Sequence, residues 1–208
     1  MPRSAFRLFL FVFCLLAGSA WAAGPRMIMV FGDSLSAGFG IGQEQSWPAL
    51  LAKRLQEKSI PYDVGNASIS GETTRGGLSR LDEALARFKP AIVILALGAN
   101  DGLRGLPLRD MQANLRAMID KCRARHARVL LVGMRLPPNY GPDYVAGFEK
   151  VYADLAKAHG LPLAPFMLAG FAEKRESFQA DGLHPVAAAQ PLVLDNIWPA
   201  LGPLLRQP

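Results

Sequence analysis

The chain has 208 residues, half of them hydrophobic and 19% charged. That is the length of one domain and the balance of a folded globular protein, which sets aside disordered and collagen-like classes. Its 23 Lys and Arg against 17 Asp and Glu give a formal charge of +6, spread along the chain without a basic block, so the clustered cations of a nucleic-acid face are missing.

The first 22 residues follow the pattern of a secretory signal. Arg3 and Arg7 form a basic start, Leu8 to Gly18 is an unbroken apolar run, and Ala20-Trp21-Ala22 offers a small-x-small site for cleavage after Ala22. The run is too short for a membrane span, which needs about 20 residues. Cys14 lies inside it after Val12-Phe13, which argues against a lipid anchor there. No other segment is long and apolar enough to cross a membrane. The expectation is a signal peptide over 1–22 and one domain over 23–208, exported to the periplasm or secreted. Only Cys122 would then remain, so no internal disulfide is available and the hydrophobic core must hold the fold.

Met27 to Phe31 predicts a buried strand. Trp47, Leu50, Leu51 and Leu55 recur at helical spacing, with Ser46 as cap. Tyr62-Asp63-Val64 predicts a second strand, and Leu78, Leu81 and Leu85 a helix that stops before Pro90. Ala91 to Leu97 is continuously apolar, the pattern of a central strand. Met111, Leu115, Met118, Ile119 and Cys122 make one helical stripe, which assigns Cys122 to the core. Arg128 to Gly133 predicts a fourth strand, and Tyr144, Phe148, Val151, Tyr152 and Leu155 a fourth helix. A weak strand around Leu161 to Ala164 precedes a last helix over Val186 to Leu205. Such alternation implies βαβ units and a parallel sheet covered on both faces. A ligand site then forms outside the carboxyl ends of the strands.

The residues that follow the strands carry chemistry. After the first comes Gly32-Asp33-Ser34-Leu35-Ser36, a serine in a turn at the sheet rim, which becomes a nucleophile if a base takes its proton. It is not the G-x-S-x-G elbow, since position 36 is Ser, and Gly38 to Gly42 is not a dinucleotide fingerprint, since position 43 is Gln. Gly65 to Thr73 follows the second strand and Gly98 to Gly102 the third. They supply glycine amides and the Asn100 carboxamide, the donors an oxyanion hole uses. Asp181-Gly182-Leu183-His184-Pro185 offers a general base and a carboxylate that can orient it. His126, in a basic helix end, and His159, before Gly160, read as surface histidines. No His-rich cluster or H-E-x-x-H is present, so no metal is expected. Leu103, Leu106, Leu136, Pro137 and Tyr140 follow the third and fourth strands and predict an apolar groove at the same rim.

In these blocks the sequence resembles the SGNH (GDSL) hydrolase family. The family's four signature residues map onto Ser34, Gly71, Asn100 and His184, and Asp181 matches its third triad member. The likeness covers nearly the whole chain after the leader. Arg104-Gly105 and Asn139-Tyr140-Gly141 extend it toward the thioesterase, lysophospholipase and arylesterase branch, with Glu72 where that branch tends to have Asp. The resemblance implies a flavodoxin-like three-layer α/β/α sandwich. It implies Ser34 as nucleophile, His184 as base, Asp181 as its orienting partner, and an oxyanion hole of the Ser34 and Gly71 amides with the Asn100 side chain. It further implies a monomer that needs no cofactor and hydrolyses carboxylic esters and thioesters, lysophospholipids and acyl-CoA among them. The alternatives are a carbohydrate O-acetyl esterase or acetyltransferase on the same scaffold, and a non-enzymatic envelope binding protein.

Overall fold

The structure, a computed structural model, describes residues 24–206; the leader expected over 1–22 lies outside them. Five strands pair in parallel: β1 (Arg26–Gly32), β2 (Tyr62–Asn66), β3 (Ile92–Ala96), β4 (Arg128–Val132) and β5 (Leu163–Ala164). Their order is β2-β1-β3-β4-β5, the flavodoxin-like arrangement, whose switch point lies between β1 and β3. Each strand begins where the apolar runs predict, to within a residue or two.

The central strands β1, β3 and β4 read as apolar runs because both faces of the sheet are covered there. Ile28 and Val30 of β1, Ile92 and Ile94 of β3, and Leu130 of β4 join one core, under α2 (Trp47–Glu57) and α7 (Gln190–Leu205). Met29 and Phe31, Val93 and Leu95, and Val129 and Leu131 join the other, under α3 (Thr74–Phe88), α5 (Leu108–Ala124) and α6 (Pro142–His159). The alternation has period 2, so a one-residue slip of any strand would exchange its two faces. Cys122 is fully buried in the second core, and burial pushes its thiol up to about 12. It packs as a small apolar residue. Among the described residues no helix is long and apolar enough to cross a membrane.

Two helix starts differ from expectation. Ser46 occupies the cap position of α2, but its hydroxyl donates back to the Gln43 carbonyl at 2.6 Å and caps nothing. The Trp47 N–H instead donates to Gln190 Oε1 at 3.0 Å, so the first residue of α7 satisfies the first residue of α2. The last helix starts at Gln190, after a single tight turn over Ala187–Ala189.

Gly77 of helix α3 packs directly against side chains at the end of the sheet. A Cβ there would lie 2.5 Å from Leu97 Cδ1 and 3.2 Å from Phe31 Cε1. Alanine is favoured over glycine in a helix by about 1 kcal/mol, yet overpacking a core costs about 1–3 kcal/mol. Gly77→Ala is expected to lower the urea midpoint with an unchanged slope. A raised midpoint would show that the helix can lift off the sheet at no cost.

Candidate active site

Strand β1 ends at Gly32, paired with Ala96 of β3. The chain then turns sharply into α1 (Ser34–Ala37), a single helical turn. Asp33 caps it, with Oδ1 accepting the Leu35 N–H at 3.1 Å. Ser34 is thereby presented at the carboxyl edge of the sheet.

The histidine arrives from the far end of the chain. His184 Nε2 lies 2.8 Å from Ser34 Oγ, and His184 Nδ1 lies 2.7 Å from Asp181 Oδ2. Asp181 Oδ1 accepts the backbone N–H groups of Leu183 at 2.8 Å and His184 at 3.0 Å. These bonds, the Leu183 amide foremost and the His184 ring next, hold the Asp181 carboxyl down to about 2. It is therefore an anion at neutral pH and favours the tautomer with its proton on Nδ1. That leaves Nε2 free to accept the Ser34 proton. The segment is fixed by a bridge between Phe178 and Pro185 and by the Gln179 N–H, which donates to the His184 carbonyl at 2.8 Å. Gln179 Nε2 reaches the Phe39 carbonyl at 2.8 Å, and the Phe39 ring lies 4.4 Å from the imidazole. The loop after α1 and the histidine loop thus hold each other.

Two more elements bring donors to the same point. Asn100 lies in α4 (Ala99–Leu103), directly after β3, and its Nδ2 donates to the Glu72 carbonyl at 3.0 Å. Gly71 has φ +78, a left-handed conformation that glycine adopts without strain, and its carbonyl accepts from Arg104 Nη2 at 3.0 Å. The buried Asp101 carboxylate ties the two together, accepting the Thr74 N–H at 2.8 Å and its hydroxyl at 2.6 Å. Among the described residues neither the Ser34 N–H nor the Gly71 N–H has an acceptor. Donors left open beside a serine hydrogen-bonded to a histidine are what a developing oxyanion would require.

A cavity of about 520 Å³ opens beside Ser34, Asn100 and His184. Leu103, Leu136 and Pro137 line it, as their positions after β3 and β4 predict. Leu106 and Tyr140 do not, and the expected groove is corrected at both. The Tyr140 hydroxyl is turned to the Leu103 carbonyl at 2.9 Å, bracing the wall from behind. Leu106 is held through its own carbonyl by the Tyr144 hydroxyl at 2.7 Å, with its side chain exposed. Phe166, Leu168 and Phe178, which sequence reasoning missed, also line the cavity. The strand-end rule applied to β5 would have found Phe166; Leu168 and Phe178 lie in irregular chain with no periodic signal. No group of three His, Cys, Asp or Glu able to hold a metal occurs among the described residues.

Asp33 is 2% exposed, and burial pushes its carboxyl up to about 7. Its folded-state value exceeds the unfolded 3.8, so the folded state keeps a proton that the unfolded state releases. The stability contributed by this group is greatest below the unfolded value and falls as pH rises toward 7. Asp33→Asn, which cannot ionise, should gain on the wild type between pH 5 and pH 8 when urea midpoints are compared. A constant difference across that range would contradict the burial argument.

The chain compares closely with known proteins. Residues 30–191 match the model of the GDSL-like Lipase/Acylhydrolase family. The chain is 50% identical over 183 residues to Esterase TesA of Pseudomonas aeruginosa, covering 88% of this chain and 91% of that protein. It is 40% identical over 185 residues to Thioesterase 1/protease 1/lysophospholipase L1 of Escherichia coli, covering 89% of this chain and 88% of that protein. A crystal structure of TesA superposes with a TM-score of 0.84 at 50% identity, covering 86% of this chain and 99% of that one. This chain therefore belongs to the GDSL-like lipase/acylhydrolase family, the SGNH hydrolases, and is a carboxylic ester hydrolase.

Proposed function

We propose that the chain is an exported serine esterase that hydrolyses carboxylic esters and thioesters of medium or longer acyl chains through an acyl-enzyme on Ser34. The continuous path Asp181–His184–Ser34, with bonds of 2.7 and 2.8 Å, carries this reading. Ser34 Oγ attacks the acyl carbonyl while His184 Nε2 takes its proton. The tetrahedral oxyanion is held by the Ser34 and Gly71 N–H groups and the Asn100 carboxamide. His184 returns the proton to the departing alcohol or thiol. Water, activated by the same imidazole, then releases the acid. Export rests on the signal-like pattern of residues 1–22.

The substrate class rests on the cavity. Leu103, Leu136, Phe166, Leu168 and Phe178 make its walls chiefly apolar, which suits an acyl chain and disfavours the small polar pocket of a carbohydrate O-acetyl esterase. Lysophospholipids and acyl-CoA both present such a chain, and the names of the Escherichia coli relative include thioesterase and lysophospholipase. Each methylene that stays buried contributes up to ~0.8 kcal/mol, so a few of them change kcat/KM by about tenfold or more.

Two outcomes are expected. Ser34→Ala should remove nearly all turnover of p-nitrophenyl esters while the thermal unfolding transition is retained, and wild-type turnover should survive exhaustive chelation. Across p-nitrophenyl acetate, butyrate, octanoate and laurate, each below its micelle concentration, kcat/KM should rise with chain length until the cavity is filled. Acetate as the best of the four would replace the acyl-chain reading with acetyl ester hydrolysis.

A further inference from the structure

Asp33 is the buried titratable group that the mechanism above leaves without a task. One of its oxygens, Oδ1, accepts the Leu35 N–H at 3.1 Å. Its backbone carbonyl accepts the Ser36 and Ala37 N–H groups at 3.1 and 2.9 Å. Asp33 therefore satisfies every donor of the first turn of α1 except the Ser34 N–H, which remains open. Its other oxygen, Oδ2, faces Asn100 Nδ2 at 3.4 Å.

The Asn100 amide carries two hydrogens. One is committed to the Glu72 carbonyl at 3.0 Å. The other meets Asp33 at a distance too long for a full hydrogen bond. The carboxyl attracts and orients that N–H without consuming it, so an oxyanion can still take it.

We propose that Asp33 is the positioning residue of the oxyanion hole. Its carboxyl orients the Asn100 carboxamide, and its cap holds the turn that presents the Ser34 N–H. The inference rests on Ser34 being the nucleophile, and it adds a group that touches no substrate. Asp33→Asn separates the two tasks. The asparagine Oδ1 can still cap Leu35, but its NH2 replaces Oδ2 and sets a donor against the Asn100 donor. Asp33→Ala removes both.

The test is a double-mutant cycle with Asn100→Ala, read as kcat and KM for p-nitrophenyl octanoate. Removing one oxyanion donor lowers kcat by about 10²–10³, which is the expectation for Asn100→Ala. Asp33→Asn should lower kcat by at least about tenfold with KM nearly unchanged. In the Asn100→Ala background it should change kcat by less than about threefold, because groups acting as one unit are not additive. Asp33→Ala should still lower kcat in that background, through the Ser34 N–H. If the Asp33→Asn and Asn100→Ala effects multiply, or Asp33→Asn is silent in the wild type, the proposal is wrong. If Asn100→Ala is itself silent, the oxyanion-hole assignment fails with it; Ser34→Ala, run alongside, reports separately on the nucleophile. Should Asp33→Asn not fold, Asp33→Ser, which keeps a capping oxygen, carries the same expectations.

Discussion

The pairing of β1 with β3 sets the geometry from which every other feature of the site is measured. Gly32 lies opposite Ala96, so the two chains leave the sheet side by side, one into Asp33 and Ser34 and the other into Asn100 and Asp101. A strand rises about 3.3 Å per residue. A register shift of one residue would therefore move the serine beyond reach of the asparagine and turn Ile28 and Val30 into the wrong core. Burial on both faces makes that shift prohibitive, because it would exchange two sets of close-packed side chains. The precision of the site is thus inherited from the hydrophobic core.

What the sheet does not supply, the loops supply by binding one another. Ser34 and His184 are 150 positions apart. Their contact is held by Gln179, which reaches both the Phe39 carbonyl and the histidine segment. On the other side Asp101 grips the start of α3, and Arg104 grips the Gly71 carbonyl. Four loops are tied into one rim by these hydrogen bonds, and the cysteine among the described residues is free, so no disulfide joins them. Asp33 marks what this arrangement costs. A carboxyl buried behind Ser34 is unfavourable to the fold once ionised, as functional sites often are.

The sequence made the centre of the sheet legible because a doubly covered strand is a continuous apolar run, and three such runs, those of β1, β3 and β4, stand between helical stripes; the edge strands β2 and β5 are short and carry weaker patterns. Ser34 and Asn100 are legible because each lies in a short Gly- and Asp-rich block at a strand end, where side-chain chemistry and position coincide; Asp181 and His184, in irregular chain before α7, are legible from their three-residue spacing alone. The cavity was only half legible. Leu103, Leu136 and Pro137 follow strands, whereas Leu168 and Phe178 come from irregular chain between β5 and α7 whose path depends on tertiary contacts. Leu106 and Tyr140 misled because apolar character at a rim does not say which way a side chain turns; a hydrogen bond at 2.9 Å decides it for Tyr140. The Ser46 cap failed for a similar reason, since its hydroxyl found a nearer acceptor in Gln43.

The most direct test of the account is to treat the protein with a fluorophosphonate carrying an octyl chain and map the adduct by peptide mass spectrometry. The account predicts one adduct per chain, on Ser34, formed faster than with the methyl analogue and abolished by His184→Ala. An adduct on any other residue, or labelling of Ser34 that proceeds at the same rate without His184, would contradict it.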